Sequence, residues 1–167
     1  ILPQYAIPKS EPGKYRLIDA LSKPKGCSVN ENIPDDKKSV HYCNVMQVAE
    51  FLKSELDLGV DTYYMAKVDL KDAYRCCPIR KEDWRYLGMQ LEDKLFIDTC
   101  LPMGLGTSCR TFQTISDSLC WFFRQTNPKC IIYSYIDDFL VLAPSKLECE
   151  AGLARLLAQL RYLGFPV

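Results

Sequence analysis

Two adjacent carboxylates between two apolar runs constrain this chain more than any other feature. Residues 131–135 before them and 139–142 after them are rich in the β-branched and aromatic side chains typical of buried strands. Asp137 and Asp138 therefore fall where a β-hairpin turns. Because aspartate is also common in turns for conformational reasons alone, this hairpin by itself has an ordinary structural interpretation.

A third carboxylate, Asp69, lies upstream on a short strand predicted over residues 67–70. Two strands that present acids at one sheet edge can bring such carboxylates together, and the backbone carbonyl of Leu70 can join them. Magnesium prefers oxygen ligands, and two-metal phosphoryl transfer uses ions roughly 4 Å apart. The pattern therefore predicts a site for two divalent cations formed by Asp69, Asp137 and Asp138. We interpret Asp72 as a turn residue outside this site.

Length and composition favour one globular domain. The chain has 167 residues, of which 48% are apolar and 25% charged, and its zero net charge gives no overall electrostatic argument for nucleic acid. No apolar run approaches the roughly 20 residues that a membrane span needs. The chain starts without Met or a signal-peptide pattern and stops abruptly, so we expect a fragment of an intracellular, cytoplasmic or nuclear protein.

The cysteines argue against two common kinds of site. There are nine cysteines and one histidine, with no C-x-x-C pair, so neither a zinc site nor a disulfide framework is predicted. We expect buried free thiols in a reducing compartment instead.

The first 40 residues are rich in proline and contain a basic turn. A strand is predicted over residues 15–18, with a turn over residues 9–14 that precedes it. A hairpin tip with Lys9 and Arg16 can bind phosphate groups through charge-assisted contacts. A solvated loop without function is the alternative interpretation.

Periodic apolar residues predict three helices and a further hairpin. The first helix covers residues 44–56 with Asn44 as its N-cap and is expected to pack on a sheet. Its apolar face consists of Val45, Val48, Ala49, Leu52 and Leu56. A hairpin is predicted from strands over residues 85–89 and 94–100.

The other two helices lie in the second half of the chain. The apolar stripe of the earlier one consists of Phe112, Ile115, Leu119, Phe122 and Phe123. The later one covers residues 145–163, with Ser145 as its N-cap and Gly164 after its end. Its predicted packing residues are Leu147, Ala151, Ala154, Leu157, Ala158 and Leu160.

A glycine-containing loop over residues 101–108 precedes the first of these two helices. Gly104 and Gly106 allow close approach of a nucleotide or a template base, and the helix N-terminus can face a phosphate. A dinucleotide-binding turn is the alternative. It is disfavoured because Cys109 replaces the third glycine and no βαβ unit with an acidic ribose ligand follows.

Four motifs in this order resemble those of a reverse transcriptase, over nearly the whole chain. They are the basic tip at residues 9–16, residues 68–74, residues 101–104 followed by 112–113, and residues 135–138. The resemblance implies an α+β fold, a right-hand polymerase palm whose antiparallel sheet is backed by helices, with partial fingers. It assigns residues 1–60 to the fingers and 61–167 to the palm, with a fingers-like hairpin at about 80–100 and no thumb.

The resemblance also implies an activity, which is RNA-directed DNA polymerase. Such an enzyme transfers dNMP to a primer 3′-hydroxyl on an RNA or DNA template, with two Mg²⁺ ions or Mn²⁺ as a substitute. No membrane partner is expected. The implied metal ligands are Asp69, Leu70, Asp137 and Asp138. The implied substrate-binding residues are Lys9 and Arg16 for the triphosphate, Tyr74 as a steric gate against a ribose 2′-hydroxyl, and Leu70, Met103, Gly104 and Gln113.

Residues 21–30 are similar to retrotransposons of the DIRS type, which encode a tyrosine recombinase. Two alternatives stay open beside a reverse transcriptase. An RNA-dependent RNA polymerase shares the palm, but usually has Gly-Asp-Asp in the hairpin and Ser-Gly with a downstream Asn in the loop. A catalytically inactive remnant that only binds nucleic acid is the other.

Overall fold

The computed structural model describes residues 1–167 and contains helices and short antiparallel strands, which confirms the α+β class. The strands are β1 (Gln4–Pro8), β2 (Tyr15–Asp19), β3 (Tyr64–Asp69), β4 (Gly88–Leu91), β5 (Lys94–Ile97), β6 (Ile131–Tyr135) and β7 (Asp138–Ala143). The α-helices are α1 (Asp35–Lys38), α2 (Val45–Asp57), α3 (Ser108–Thr126) and α4 (Lys146–Tyr162). Turns of 3-10 helix cover Asn30–Asn32, Ala73–Cys76 and Lys81–Tyr86.

The chain divides into two compact units. The first consists of Ile1–Ser39 and Tyr74–Thr111, and the second of Val40–Ala73 and Phe112–Val167. The assignment of residues 1–60 to fingers and 61–167 to palm stays a prediction. No helix in the structure combines the length and apolar character needed to cross a membrane.

The first unit contains two antiparallel hairpins, one from β1 and β2 and the other from β4 and β5. The predicted turn before β2 is confirmed, and the amide of Lys9 closes it by donating to the carbonyl of Lys14 at 2.8 Å. The hairpins meet where the amide of Leu2 donates to the carbonyl of Gly88 at 2.7 Å.

The second hairpin is shorter than predicted. Arg85 and Tyr86, which were expected as strand, belong to the 3-10 turn instead. The indole N–H of Trp84 in this turn donates to the carbonyl of Ile79 at 2.9 Å. The second strand ends at Ile97 rather than Cys100, and Asp98 directly after it is buried. Its carboxylate accepts from the amide of Cys100 at 3.0 Å and pairs with Arg75 at 2.6 Å.

The second unit is a three-stranded antiparallel sheet in the order β3-β7-β6 with helices against it. The central strand β7 is almost entirely apolar, and Phe139, Val141 and Leu142 are fully buried. Helix α4 contacts β7 and β3. It approaches closely at Gly152, where an added Cβ would lie 2.6 Å from Sγ of Cys130.

The predicted bounds of α4 are confirmed, but of its predicted packing residues only Leu160 is buried. Leu147 is 77% exposed, and Ala154 and Ala158 are also exposed. The buried residues are Cys149, Gly152, Leu156 and Leu160. The small residues Cys149 and Gly152 let the helix lie close to the sheet, so the contact is set by size and not by hydrophobicity alone.

The apolar stripes of α2 and α3 also differ from prediction. On α3, Phe112, Leu119 and Phe123 are buried as expected, but Phe122 is 51% exposed and the polar Ser116 is fully buried. On α2 the Asn44 cap is confirmed by a reciprocal capping box with Gln47. No residue of α2 is buried. The helix contacts the chain before β3 through Phe51, whose ring centroid lies 5.5 Å from that of Tyr63.

All nine cysteines are free thiols. Four of them are buried, as predicted, namely Cys77, Cys120, Cys130 and Cys149. The prediction is wrong for Cys27, which is exposed in the loop after β2. The other four are partly buried.

Candidate active site

The β6–β7 hairpin places Asp137 and Asp138 at its tip. Tyr135 pairs with Asp138 in the antiparallel register, so the turn consists of Ile136 and Asp137 alone. Ile136 has φ of 54°, a left-handed conformation that is uncommon for a β-branched residue. The ring of Tyr135 packs on that of Tyr42 at a centroid distance of 4.6 Å.

The third acid lies beside this tip on β3. Asp69 is the direct partner of Asp138 in the antiparallel β3–β7 pairing, and the amide of Leu70 donates to the carbonyl of Asp137 at 3.1 Å. The structure thus brings Asp69, Asp137 and Asp138 to one end of the sheet, as the sequence predicted.

Three carboxylates and one ammonium lie near one another at this end of the sheet. Desolvation raises the pKa of Asp69, and the negative charges of Asp137 and Asp138 raise it further. Lys67, which sequence analysis missed, places Nζ 2.9 Å from Oδ1 of Asp138. Its hydrogen bond to Asp138 raises the pKa of the Lys67 ammonium. The available signal was the spacing of two residues from Asp69, which places both side chains on one face of a strand.

These carboxylates fit a hard divalent cation by chemistry. Oδ1 of Asp138 is buried and, apart from the ion pair with Lys67, accepts no hydrogen bond. The ammonium of Lys67 therefore already places a positive charge beside Asp138. No three acidic, histidine or cysteine side chains in the structure lie close enough together to form a complete metal site. The carbonyl of Leu70 as a ligand stays a prediction.

Gln113 lies under the hairpin inside the second unit. It is 3% exposed, its Oε1 accepts from the amide of Ile136 at 2.7 Å, and its Nε2 donates to Asp117 and Ser134. These bonds give Gln113 a place in the fold, whereas its contact with substrate stays a prediction. Ser116, which donates to the carbonyl of Ile136 at 2.5 Å, was missed because a serine among apolar residues gives no clear sequence signal.

In the first unit, the predicted phosphate-binding residues lie at the β1–β2 tip. Lys9 and Arg16 are both exposed and line a groove with Ile7, Pro8 and Ser10. Arg16 is the register partner of Ile7, which places it beside the start of the turn. Exposed cationic groups at a hairpin tip are free to meet an anion from solvent.

Tyr74 lies on the 3-10 turn that follows β3 in sequence. Its side chain is partly buried, and its hydroxyl lies 3.1 Å from Sγ of Cys109 near the start of α3. The next residue, Arg75, pairs with the buried carboxylate of Asp98 at 2.6 Å. These two contacts fix the turn within its unit, so the tyrosine ring has a defined position.

Met103 and Gly104 pack against the end of β2. The carbonyl of Met103 accepts from the amide of Asp19 at 2.8 Å. Gly104 has φ of 111°, and an added Cβ would lie 2.0 Å from the carbonyl oxygen of Asp19. Asn30 bridges the loop by donating to the carbonyl of Gly104 at 2.8 Å and accepting from the amide of Gly106 at 2.7 Å. The chain's own backbone thus requires glycine here, and contacts of Met103 and Gly104 with nucleotide stay predictions.

Known proteins similar in sequence to this chain include retroviral polyproteins. The chain is 31% identical over 112 residues to the Gag-Pol polyprotein of Koala retrovirus, a match covering 64% of this chain and 7% of that protein. It is 30% identical over 115 residues to the Pol polyprotein of Feline endogenous virus ECE1, covering 65% of this chain and 11% of that protein. The chain therefore corresponds to a small part of the length of these relatives.

A solved structure shares the fold. It is a foamy viral protease-reverse transcriptase in complex with double-stranded DNA, with a TM-score of 0.71 and 23% identity, covering 99% of this chain and 26% of that chain. Residues 7–167 match the family described as reverse transcriptase (RNA-dependent DNA polymerase). This chain belongs to the reverse transcriptase family.

Proposed function

We propose that this chain supplies the fingers and palm residues of an RNA-directed DNA polymerase that replicates a retrotransposon. The enzyme transfers dNMP to the 3′-hydroxyl of a primer paired to an RNA or DNA template. The single observation that best supports the proposal is the pairing of Asp69 with Asp138, with Asp137 in the adjoining turn. Like charges placed directly opposite each other are unfavourable in a sheet, so a divalent cation bound there would stabilise the pair.

Asp69, Asp137 and Asp138, with the carbonyl of Leu70, would hold two Mg²⁺ ions, for which Mn²⁺ can substitute. When bound, such ions lower the pKa of a primer hydroxyl and neutralise charge on a leaving pyrophosphate. Lys67 neutralises Asp138 in the absence of divalent cation through its contact at 2.9 Å.

The first unit contributes groups that bind and select the nucleotide. Lys9 and Arg16 bind the triphosphate, since both are exposed cations beside one groove. Tyr74 excludes a ribose 2′-hydroxyl by its ring, which Cys109 and the anchored turn hold in place. Met103 and Gly104 complete the proposed nucleotide and template contacts of this unit.

A substitution at the turn tests the metal assignment. Asp137→Asn should abolish primer extension by the full-length protein that contains this chain, while leaving its folding and primer-template affinity nearly unchanged. Asp93→Asn, an exposed acid in the β4–β5 turn, is the matched control and should retain full activity. Polymerisation that survives in the Asp137→Asn protein would remove the proposed metal role.

The choice of nucleotide and the need for metal separate the alternatives. A reverse transcriptase incorporates dNTP in preference to NTP on a primed RNA template, whereas an RNA-dependent RNA polymerase shows the opposite preference. An inactive remnant binds primer-template but does not extend it, with or without chelator. Primer extension with dNTP that is lost when a chelator is added supports the proposal.

We further propose a DIRS-type element as the source and an intracellular location. The similarity of residues 21–30 supports the first, and the nine free thiols support the second, because free cysteines persist in reducing compartments. The gene that encodes the chain tests the source directly. A tyrosine recombinase in the same element supports it, and an integrase of the retroviral type contradicts it.

A further inference from the structure

Both backbone polar groups of Ile136 are bonded to side chains of α3. The amide donates to Oε1 of Gln113 at 2.7 Å, and the carbonyl accepts from Oγ of Ser116 at 2.5 Å. Gln113 is 3% exposed and Ser116 is fully buried. Buried polar side chains with well-made hydrogen bonds fix geometry strongly, because solvent does not offer the turn an alternative partner.

The turn needs such support because its sequence does not favour its conformation. Ile136 is the first of two central residues and has φ of 54°, whereas Asp137 is not in the left-handed region. A two-residue hairpin with positive φ at only its first central position is of the type II′ class, where glycine is preferred. A β-branched residue persists in such a conformation only when its surroundings over-determine it.

A second layer of contacts fixes the orientation of the Gln113 amide. Its Nε2 donates to Oδ1 of Asp117 at 2.8 Å and to Oγ of Ser134 at 3.0 Å. Oγ of Ser134 also donates to Oδ1 of Asp117 at 3.3 Å. Because these acceptors require the NH₂ group, the carbonyl oxygen of the amide must face Ile136. Side-chain hydrogen bonds of this network therefore connect α3 with β6 and with the turn.

We propose that Gln113 and Ser116 are positioning residues that hold Ile136 in its left-handed conformation and so fix where the hairpin presents Asp137 and Asp138. The catalytic consequence rests on the proposed function. The hold on the turn is a property of the fold alone and can be measured without polymerase activity. Neither residue needs to touch substrate for this role.

Hydrogen exchange of the Ile136 amide, measured by NMR, tests the hold directly. Gln113→Met preserves side-chain length but removes the acceptor, and exchange at Ile136 should accelerate roughly tenfold or more. Gln125→Met, at an exposed position of the same helix, is the matched control and should leave that amide unchanged. Ser116→Ala removes the other bond and should accelerate the same exchange, which covers the case in which Gln113→Met does not fold. Unchanged exchange in the folded variants would overturn the proposal.

A double-mutant cycle with Ile136→Gly separates a positioning role from general destabilisation. Glycine adopts positive φ without strain, so the turn then depends less on its hydrogen bonds with Gln113 and Ser116. Gln113→Met should lower the urea midpoint less in the Ile136→Gly background than in the Ile136 background. Additive changes would contradict a role that acts through the strain at Ile136.

The kinetic arm uses the full-length protein. Gln113→Met should lower kcat at least roughly tenfold and raise the Mg²⁺ concentration required, with primer-template Kd unchanged. Normal kcat with accelerated exchange would overturn the catalytic part of the proposal. If the unsubstituted protein does not polymerise, the proposed function fails, and the exchange data still decide whether Gln113 and Ser116 hold the turn.

Discussion

Asp69 faces Asp138 directly across the antiparallel pairing of β3 with β7, and the ammonium of Lys67 lies 2.9 Å from Oδ1 of Asp138. Two carboxylates in this arrangement repel each other, and desolvation followed by this repulsion raises the pKa of Asp69. The fold tolerates the pair because β7 is anchored by its buried apolar residues, and Lys67 supplies a compensating charge. The pair is thus a strained arrangement suited to a cation of higher charge.

Lys67→Met tests this competition between ammonium and divalent cation. Without Mg²⁺ the variant should lose little stability, because the Lys67 side chain is 64% exposed and solvent screens the pair. With Mg²⁺ its melting temperature should rise more than that of the unsubstituted chain. Lys94→Met, at an exposed site on β5, is the control and should show the ordinary Mg²⁺ shift. Equal shifts of the melting temperature in all three proteins would show that Lys67 does not compete with Mg²⁺.

Tyr74 provides a test of sugar selection. Tyr74→Val removes the ring and should reduce the preference for dNTP over NTP by roughly tenfold to a hundredfold, the scale on which a pocket rejects a small group. Tyr74→Phe keeps the ring but loses the contact with Cys109, and should retain most of the preference. Single-nucleotide incorporation on a primed template measures both. An unaltered preference in the valine variant would exclude the steric-gate role.

Gly104 and Gly13 allow a comparison of how much stability is lost when a side chain is added at positive φ. Both have φ in the left-handed region, at 111° and 78°, but only Gly104 meets neighbouring backbone. Gly13→Ala should cost about 1–2 kcal/mol, the price of the conformation alone. Gly104→Ala should cost roughly 3 kcal/mol or more, because its Cβ also collides with the carbonyl of Asp19. Urea unfolding measures the difference, and equal costs would mean that the loop moves away freely.

The sequence predicted features that depend on local chemistry. The turn at Asp137, the cap at Asn44 and the cap at Ser145 all appear where expected, because short-range hydrogen bonds and conformational preferences determine them. The meeting of Asp69 with Asp138 was also predicted, since strands with acids at their ends were expected to share a sheet edge.

Features that depend on tertiary packing were predicted only in part. The packing face of α4 is set by the small residues Cys149 and Gly152, which a count of apolar residues undervalues. The role of Ser116 depends on its position against Ile136, twenty residues away in sequence. Gln113 was predicted from family resemblance as a substrate contact, and the structure shows it bonded to the turn instead of exposed to solvent.

Asp19 allows a test of electrostatics away from the carboxylate pair. The residue is 5% exposed, and burial raises the pKa of its carboxyl above 3.8, although a hydrogen bond from Gln4 at 2.9 Å opposes that shift. Since the folded pKa is the higher one, the contribution of Asp19 to stability is full below about pH 3.8 and is lost as pH rises through the folded pKa. Ionised Asp19 therefore destabilises the fold at neutral pH.

Asp19→Asn removes this ionisation and keeps an oxygen that can accept from Gln4. Relative to the unsubstituted chain, the variant should gain stability as pH rises from 3 to 7, and its advantage should be greatest at pH 7. Urea midpoints at each pH give the difference, from which the titration of all other groups cancels. Asp93→Asn, at the exposed β4–β5 turn, is the matched control for removal of one carboxylate. A difference that is constant with pH would mean that Asp19 has the same proton affinity in the folded and the unfolded chain. The burial of its carboxylate would then have no electrostatic cost.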